Sequence, residues 1–552
     1  MLCIKIVAKG YGDVVTFSMQ GKKDYQEKLF VSFQLSQRVP RDNFYRRLKG
    51  VLDLQWLYKA TANYYGTEGQ KSIDPVVFFK LILVGYLENL NSDRKIIQHA
   101  QMRLDILFFL GYDLDEELPW HSTISRTRGL FGEEVFKALF KQVLGLCVEK
   151  GMLSGKRQAI DSAFVKANAS MDSLVEKEVI EDGEHYLTEL QHDEYGKEIE
   201  QHENVMNDDR DSDTITRSRN KSTQEHHGWK ANEYKGMPKG KAVNRGNDNI
   251  NRPKFVSNHT HYSTTDRDAR VSVKPGKPRQ LNYSMQTAVD MSSHVITNVE
   301  AHFADRRDSE VLSEVLTNSI SNLKEQGLAL EQIACDTGYS SGKALQACLD
   351  NNITAYIPNF GHYKPHREGF VFDAENDRYT CVQKGVHLPY KKTYQDKKGY
   401  YKKQYRSSAK ECRQCPFRTT CIGGNADYKK IEETVDKPLY DQMHQRLQTS
   451  YAKRMKKLRQ ATVEPVLGTL INFMGLRRIW TRGLKNAGKF MLGAAAAYNL
   501  KKWLNHEVRK SKQVAVMVME KPLERLCFSF LLLPVSISRK NRKSQAQSLQ
   551  FC

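Results

Sequence analysis

Three acidic residues occupy positions from which they could hold divalent metal ions. Asp161 lies inside a short apolar segment at 158–166, Asp336 follows an apolar run that ends at Cys335, and Glu464 lies in a helical pattern. Carboxylates that converge from distant positions suit Mg²⁺, because this ion prefers oxygen ligands and keeps part of its water shell. Since two such ions can promote attack on a phosphodiester, these residue types indicate phosphoryl chemistry.

The pattern alone does not select these three acids. The chain contains 64 Asp and Glu residues, so many groups of three acids exist. Asp290 and Asp305 compete for the second position. Asp290 precedes a hairpin turn and Asp305 starts a helix, and aspartate is common at both places without any catalytic role.

The charge of the chain favours an anionic partner. Its 552 residues carry 85 Lys and Arg against 64 Asp and Glu, a formal net charge of +21. Bases are concentrated at 441–512, around Glu464, whereas 171–220 is acidic and polar. We therefore expect nucleic acid as the partner, with an acidic membrane surface as the alternative.

The cysteine content and the apolar segments of the sequence indicate the cellular compartment. The chain has ten cysteines and no secretory signal, which favours a reducing cytoplasm. The apolar stretch at 528–537 is too short to span a bilayer, so we expect no membrane partner.

The elements that must position the acids follow from periodicity. Residues 45–150 have a helical pattern, in which Asp74-Pro75 and Ser92 are helix starts. After Gly155 the pattern predicts strands at 158–166, 281–290, 295–301, 330–335 and 353–357, helices at 311–323, 340–349 and 443–474, and a last helix at 486–503. This order predicts a mixed α/β sheet with flanking helices. Asp161 and Asp336 would then lie at neighbouring strand positions, with the helix of Glu464 packed against that edge.

A short polar helix at 121–128 could contact DNA. We expect Ser122 to cap it, and Ser122, Thr123, Arg126 and Arg128 to face phosphates and base edges, as in the second helix of a helix-turn-helix. A solvated surface helix is the alternative. Tyrosines and lysines also alternate at 390–406, which suits either base stacking or a half-exposed hairpin around Gly399.

Four cysteines have spacing that is typical of a structural zinc site. Cys412 and Cys415 form a C-x-x-C pair, with Cys421 downstream and Cys381 upstream. Free reduced thiols are the alternative. Cys335 and Cys348 lie in apolar segments and are expected in the core.

Several sequence blocks resemble DDE transposases of bacterial insertion sequences. The three catalytic blocks are QAIDSAFVKANAS around Asp161, ACDTGYSSGKAL around Asp336 and TVEPVLGTLINFMGLRRIWTRGLKNAGKFMLGAAAAYNLKKW around Glu464. The segments SIDPVVFFKLILVGYLENLNSDRKIIQHAQ and PWHSTISRTR resemble the helical N-terminal domain of the same family. The blocks occur in order over about 45–505.

The resemblance implies a ribonuclease H-like fold and a catalytic site of Asp161, Asp336 and Glu464 that binds Mg²⁺ or Mn²⁺. The implied reaction is strand cleavage at the ends of the element, followed by attack of the freed 3′ hydroxyl on target DNA. It also implies double-stranded DNA as the partner, a homodimer, and a nucleoid-associated protein in a bacterial cytoplasm. A nuclease of the same fold and a catalytically silent DNA-binding protein are the alternatives.

One departure from the family concerns phosphate contacts. Some relatives carry Arg four residues before the glutamate and Lys seven residues after it, whereas this chain has Gln460 and Ile471 there. Arg459, Arg477 and Arg478 are nearby substitutes for DNA binding.

The expected organisation has four parts. An extension at 1–44 precedes a helical DNA-binding domain at 45–150, a catalytic domain at 151–505 and a tail at 506–552. The catalytic domain carries an acidic insertion at about 171–280 and a Lys- and Tyr-rich insertion at 359–440. We assign no role to 1–18 or to the tail after about Lys512.

Overall fold

The computed structural model describes Lys23 and residues 33–506, except 67, 69–71, 177–257, 259–260, 274–277, 397–398 and 423–425. Most of the predicted extension, nearly all of the acidic stretch at 171–220 and almost the whole tail lie outside the described residues. The three predicted boundaries between the four parts remain predictions.

The N-terminal region is helical where the structure describes it. Asp74 precedes the helix Pro75–Leu87 (α4). Its carboxylate accepts hydrogen bonds from the backbone N–H groups of Val76 and Val77 at 2.7 and 3.2 Å. Ser92 precedes α5 without a side-chain capping bond. The helices are α1 Leu35–Arg38, α2 Phe44–Val51, α3 Trp56–Thr61, α4 Pro75–Leu87, α5 Asp93–Gln101, α6 Leu104–Leu110, α7 His121–Leu130 and α8 Glu133–Glu149.

A mixed sheet follows, as the sequence predicts. Its central strand, β1 (Arg157–Lys166), pairs antiparallel with β5 (Gln280–Asp290) and parallel with β7 (Gln332–Cys335). β7 in turn pairs parallel with β8 (Thr354–Tyr356). β4 and β6 pair antiparallel with the other edge of β5, and β2 pairs with β3 apart from this sheet. The strands are β1 Arg157–Lys166, β2 Leu174–Glu176, β3 His261–Ser263, β4 Arg270–Ser272, β5 Gln280–Asp290, β6 Ile296–Phe303, β7 Gln332–Cys335 and β8 Thr354–Tyr356. The helices between them are α9 Asp308–Glu325 and α10 Gly342–Asp350.

The two rival aspartates have structural roles. Asp290 is fully buried, and its carboxylate accepts hydrogen bonds from the backbone N–H groups of Gly155 and Ser293 at 3.1 and 3.0 Å. It therefore holds the turn between β5 and β6. Asp305 forms an ion pair with Arg270 at 3.4 Å, just before α9.

A second sheet lies within the predicted insertion at 359–440. Its strands pair antiparallel in chain order, and β11 and β12 form the predicted hairpin around Gly399. The elements are β9 Phe370–Asp373, β10 Arg378–Cys381, β11 His387–Gln395, β12 Tyr401–Arg406, α11 Ala409–Arg413, α12 Arg418–Cys421 and β13 Lys430–Thr434.

The predicted helix at 443–474 is two helices, so that prediction is wrong about its continuity. α13 covers Lys437–Leu447 and α14 covers Ser450–Phe473. The chain breaks between them because the Thr449 hydroxyl caps α14, accepting a hydrogen bond from the Ala452 N–H at 3.2 Å. The last described helix, α15, covers 484–506.

Two apolar cores cover the faces of the first sheet. One is continuous from the N-terminal helices through one sheet face to α14 and α15. The other lies between the opposite face, α9, α10 and α13. In the part of the chain described, no helix is both long and apolar enough to cross a membrane.

Candidate active site

Strand pairing places two of the predicted acids side by side. Ile160 of β1 is paired with Cys335 of β7 in parallel register. The next residues are Asp161 and Asp336, so the two aspartates extend from adjacent strands at the same sheet level. Asp336 ends the strand and starts a short 3₁₀ turn at Thr337–Tyr339.

The third acid comes from α14, which packs across β1, β5, β7 and β8. The helix buries one face against the sheet, including Met455, Val463 and Val466. Arg459 lies on the buried face, whereas Glu464 is exposed. The helix therefore delivers a cation and a carboxylate to the edge where the two aspartates lie.

Arg459 links the three carboxylates. Its guanidinium contacts Asp161 at 2.6 Å, Asp336 at 3.7 Å and Glu464 at 3.9 Å. The Arg459 side chain is 6% exposed and that of Asp161 19%, but those of Asp336 and Glu464 are 57% and 59% exposed. Because like charges repel, a cation between the carboxylates favours their approach. One guanidinium thus gathers acids that are far apart in the sequence.

A hydrogen-bond network connects Asp161, through Ser162, to Asp308, Gln286 and Tyr339. The Ser162 N–H donates to Asp161 Oδ1 at 2.8 Å, and the Ser162 hydroxyl donates to Asp308 at 3.0 Å. Gln286 donates to the other oxygen of Asp308 at 2.7 Å and accepts a hydrogen bond from the Tyr339 hydroxyl. Burial raises the pKa of Tyr339 well above its usual value, so this hydroxyl remains a neutral donor.

Local sequence pattern does not predict this network. Its members lie within β1 and β5, at the start of α9 and in the 3₁₀ turn after β7, and no local spacing connects them. The available signal was the polar residues of β5 at Ser284, Gln286 and Thr287, all of which are buried. Buried polar groups require partners, so their presence in an apolar strand indicates a network.

The predicted DNA-contacting residues of α7 divide into two groups. Ser122 and Arg126 are exposed and Thr123 is half-buried. Arg128 is buried, donates to both carboxylate oxygens of Asp93 at 2.9 and 2.5 Å, and lies over the ring of Phe490. A guanidinium held in this way is not available to a DNA phosphate, so we correct that expectation.

The start of α7 also differs from the prediction. The helix begins at His121 and its capping position is Trp120, so Ser122 is not the cap. Ser122 is instead an exposed residue of the first turn.

The three arginines that were expected to contact DNA near Glu464 differ in their exposure and in their partners. Arg477 is exposed, whereas Arg478 is half-buried and donates to Asn168 at 2.9 Å. Arg459 faces the acids rather than an open surface. Within the basic stretch at 441–512, the exposed bases of α14 are Lys453, Arg454, Lys456 and Lys457.

The residues that could hold metals are the three acids and four cysteines. Cys381, Cys412, Cys415 and Cys421 line one small cavity in the second sheet region. Cys335 and Cys348 are buried in the core, as predicted. Within the described ranges, no three His, Cys, Asp or Glu side chains lie together closely enough to bind a metal ion as they stand. The donor chemistry of the three acids nevertheless fits a hard divalent cation, since all their ligand atoms are carboxylate oxygens.

Two protein families match the chain. Residues 33–130, which contain α1 to α7, match a transposase domain (DUF772). Residues 380–504, which contain Arg459 and Glu464, match a transposase DDE domain. Two segments of the chain are thus similar to transposase domains, the second of them to the DDE type.

The domain matches have consequences for the fold and the chemistry. The match to a DDE domain implies a ribonuclease H-like fold, which agrees with the mixed sheet and its flanking helices, and it supports an enzyme of the nucleotidyl-transferase type. DDE transposases act on DNA and generally use divalent metal ions. Asp161 and Asp336 precede the matched DDE segment. No curated protein matches the chain.

Proposed function

We propose that the protein is a DDE transposase that binds the terminal inverted repeats of an insertion sequence, cleaves a strand at each end and joins the 3′ hydroxyl to target DNA. Asp161, Asp336 and Glu464 are the catalytic carboxylates. The observation that carries this proposal is their convergence on the guanidinium of Arg459.

The convergence favours catalysis over a structural role. A buried ion pair contributes to stability only when its geometry is close and its remaining hydrogen bonds are satisfied. Here three acids from β1, the end of β7 and α14 lie around one cation, and two of them are more than half exposed. Two open carboxylates beside the half-buried Asp161 form a site that a phosphodiester can reach.

Each acid has a distinct part in the proposed site. Asp161 is fixed on the central strand by the Ser162 N–H and by Arg459. Asp336 and Glu464 lie at the rim, where their side chains have room to adjust. Mg²⁺ or Mn²⁺ held by the three acids would neutralise charge on the phosphate and lower the pKa of the attacking hydroxyl.

Basic residues around the site are suited to the DNA backbone. Lys453, Arg454, Lys456 and Lys457 are exposed on α14, the helix that carries Glu464. Arg477 is exposed beyond the end of the same helix. Their ammonium and guanidinium groups would contact phosphates without reading sequence.

Recognition of the element ends is proposed for α7. Its exposed polar residues, Ser122 and Arg126, together with half-buried Thr123, form a short surface of donors. We also propose that the protein acts as a homodimer in the bacterial cytoplasm, associated with the nucleoid, because transposition must bring two DNA ends together.

The test uses labelled DNA ends that carry a pre-cleaved 3′ hydroxyl, supplied with target DNA and Mg²⁺. We expect joined products from the wild-type protein, and at least a ~10³-fold loss in Asp161→Asn, Asp336→Asn and Glu464→Gln, about 4 kcal/mol of barrier. Asp305→Asn is the matched control and should retain joining.

A parallel assay with intact element ends separates the other functions. Cleavage of intact ends without joining would identify a nuclease. Binding without cleavage or joining would identify a silent DNA-binding protein. Retained joining in all three acid variants would refute the assignment of the site.

A further inference from the structure

The second sheet has a very small apolar core. Among the described residues, its buried apolar cluster consists of Tyr379, Leu388, Tyr405 and Ile431, with Phe370 packed against it. Most positions of β11 are exposed. Units of fewer than about 70 residues with so little core commonly depend on a metal or on disulfides. This sheet therefore needs a further source of stability.

Four cysteines meet beside that core. Cys381 ends β10, Cys412 lies in α11, Cys415 follows α11, and Cys421 ends α12. All four line a cavity of about 30 Å³. Organic ligands occupy pockets of roughly 300–1,000 Å³, so the size of this cavity suits a single ion.

Backbone hydrogen bonds fix the turns that carry the thiols. The Cys415 N–H donates to the Cys412 carbonyl at 3.3 Å, which closes the turn of the C-x-x-C pair. After β10, the Gly385 N–H donates to the Cys381 carbonyl at 2.8 Å. Gly385 has a φ of +67°, a conformation that favours glycine. The turns hold Cys381 and the C-x-x-C pair on the walls of the cavity.

The thiols line the cavity, but their sulfur atoms do not lie close enough together to bind a metal ion in this structure. The same holds for every group of His, Cys, Asp and Glu side chains in the described part of the chain. Cys412 is buried and shares a hydrogen bond with the Ser407 hydroxyl at 3.0 Å. Cys381, Cys415 and Cys421 are half-buried, so their side chains have room to turn inward. Because protonated thiols do not need to meet, convergence is expected when a metal replaces their protons.

The charge around the cavity suits thiolates. Lys384, Arg418 and Lys429 line it, against one acid, Glu411. Zn²⁺ with four thiolates carries excess negative charge, which nearby cations stabilise. Lys429 also donates to the Cys421 carbonyl at 2.6 Å, so this cation is held at the site.

We propose that Cys381, Cys412, Cys415 and Cys421 bind one Zn²⁺ ion that stabilises the second sheet. The four thiols lose their protons to solvent on binding, and the ion is held tetrahedrally by four sulfur atoms. This site is separate from the acids around Arg459 and has no part in phosphoryl chemistry.

The test measures metal in the purified full-length protein. We expect one zinc per chain by mass spectrometry and, after replacement with Co²⁺, the visible absorption of a tetrahedral cobalt–thiolate centre. Cys415→Ser should lose the metal, whereas Cys421→His should retain it, because histidine is also a zinc ligand. Cys348→Ser, a buried cysteine of α10, is the control and should retain zinc.

Absence of zinc and of the cobalt spectrum in folded wild-type protein would overturn the proposal. A disulfide among the four cysteines in protein purified without reductant would overturn it as well. The readouts do not depend on DNA cleavage, so a failure here is distinguishable from a failure of the proposed function.

Discussion

Two buried arginines in different parts of the molecule show how one residue type serves two purposes. Arg128 on α7 and Arg459 on α14 are each 5% exposed. Arg128 donates two hydrogen bonds to Asp93, and its backbone carbonyl accepts one from Lys489. Arg459 has one close contact, with Asp161, and two longer ones with Asp336 and Glu464.

The difference lies in how completely each cation is paired. Arg128 and Asp93 form a closed pair covered by the ring of Phe490, and this pair joins α5 and α7 to α15. Arg459 is shared among acids that remain open to solvent. A closed pair contributes to folding, whereas a shared cation leaves carboxylates available for another ligand.

The largest expected effect concerns the closed pair. Arg128→Met should lower the free energy of unfolding by about 3–5 kcal/mol, because it leaves Asp93 as a largely buried charge without its cation. Urea unfolding followed by circular dichroism measures the change. Arg126→Ala, an exposed position on the same helix, is the control and should change stability by less than about 0.5 kcal/mol. Equal losses in both variants would show that the Arg128 pair has no special role.

A smaller and metal-dependent effect is expected at Arg459. In metal-free buffer, Arg459→Met should lower the free energy of unfolding by about 1–3 kcal/mol, because Asp161 loses its ion pair while the other two acids stay largely hydrated. Saturating Mg²⁺ should restore most of this loss, since the ion supplies the missing positive charge. Urea unfolding with and without Mg²⁺ measures both effects.

The Arg128→Met variant is the control for that rescue. Its loss of stability relative to wild-type protein should be the same with and without Mg²⁺, because both proteins keep the three acids and gain equally from an ion bound there. If Mg²⁺ rescued both variants or neither, the contrast between the closed pair and the shared cation would be wrong.

The smallest effect is expected on DNA binding by α7. Arg126→Ala should weaken binding to terminal repeats several-fold and reduce the salt dependence of the affinity by about one phosphate contact. Affinities measured over a range of salt concentrations test this. Unchanged affinity and salt dependence would remove α7 from the DNA surface and leave Arg126 as a solvated neighbour of Arg128.

Local pattern was sufficient for most of the fold. The alternation of β5 and β6, the apolar segment around Asp161 and the Asp74-Pro75 start of α4 predicted elements that the structure contains. The break before Thr449 was missed because helix-forming residues continue on both sides of it. The Thr449 hydroxyl, which caps α14, sets that boundary. Local pattern does not show where the first helix ends and the second begins.

The environments of the arginines could not be predicted in this way. Arg128 follows the polar pattern of a surface helix, but its partners are Asp93, 35 residues earlier, and Phe490 on the last helix. Arg459 contacts Asp161 across 298 residues. The resemblance to DDE transposases, rather than local pattern, singled out the three acids, and the position of Arg459 between them required the packed sheet and helix.

The measurement that tests the central claim most directly is cleavage of the polypeptide by bound iron. Fe²⁺ replaces Mg²⁺ at carboxylate sites, and with ascorbate and peroxide it produces radicals that cut nearby backbone. We predict cuts in three segments, around 161, 336 and 464, that disappear when excess Mg²⁺ is added. Cuts confined to other segments, or cuts near one of these acids without the other two, would contradict a shared metal site.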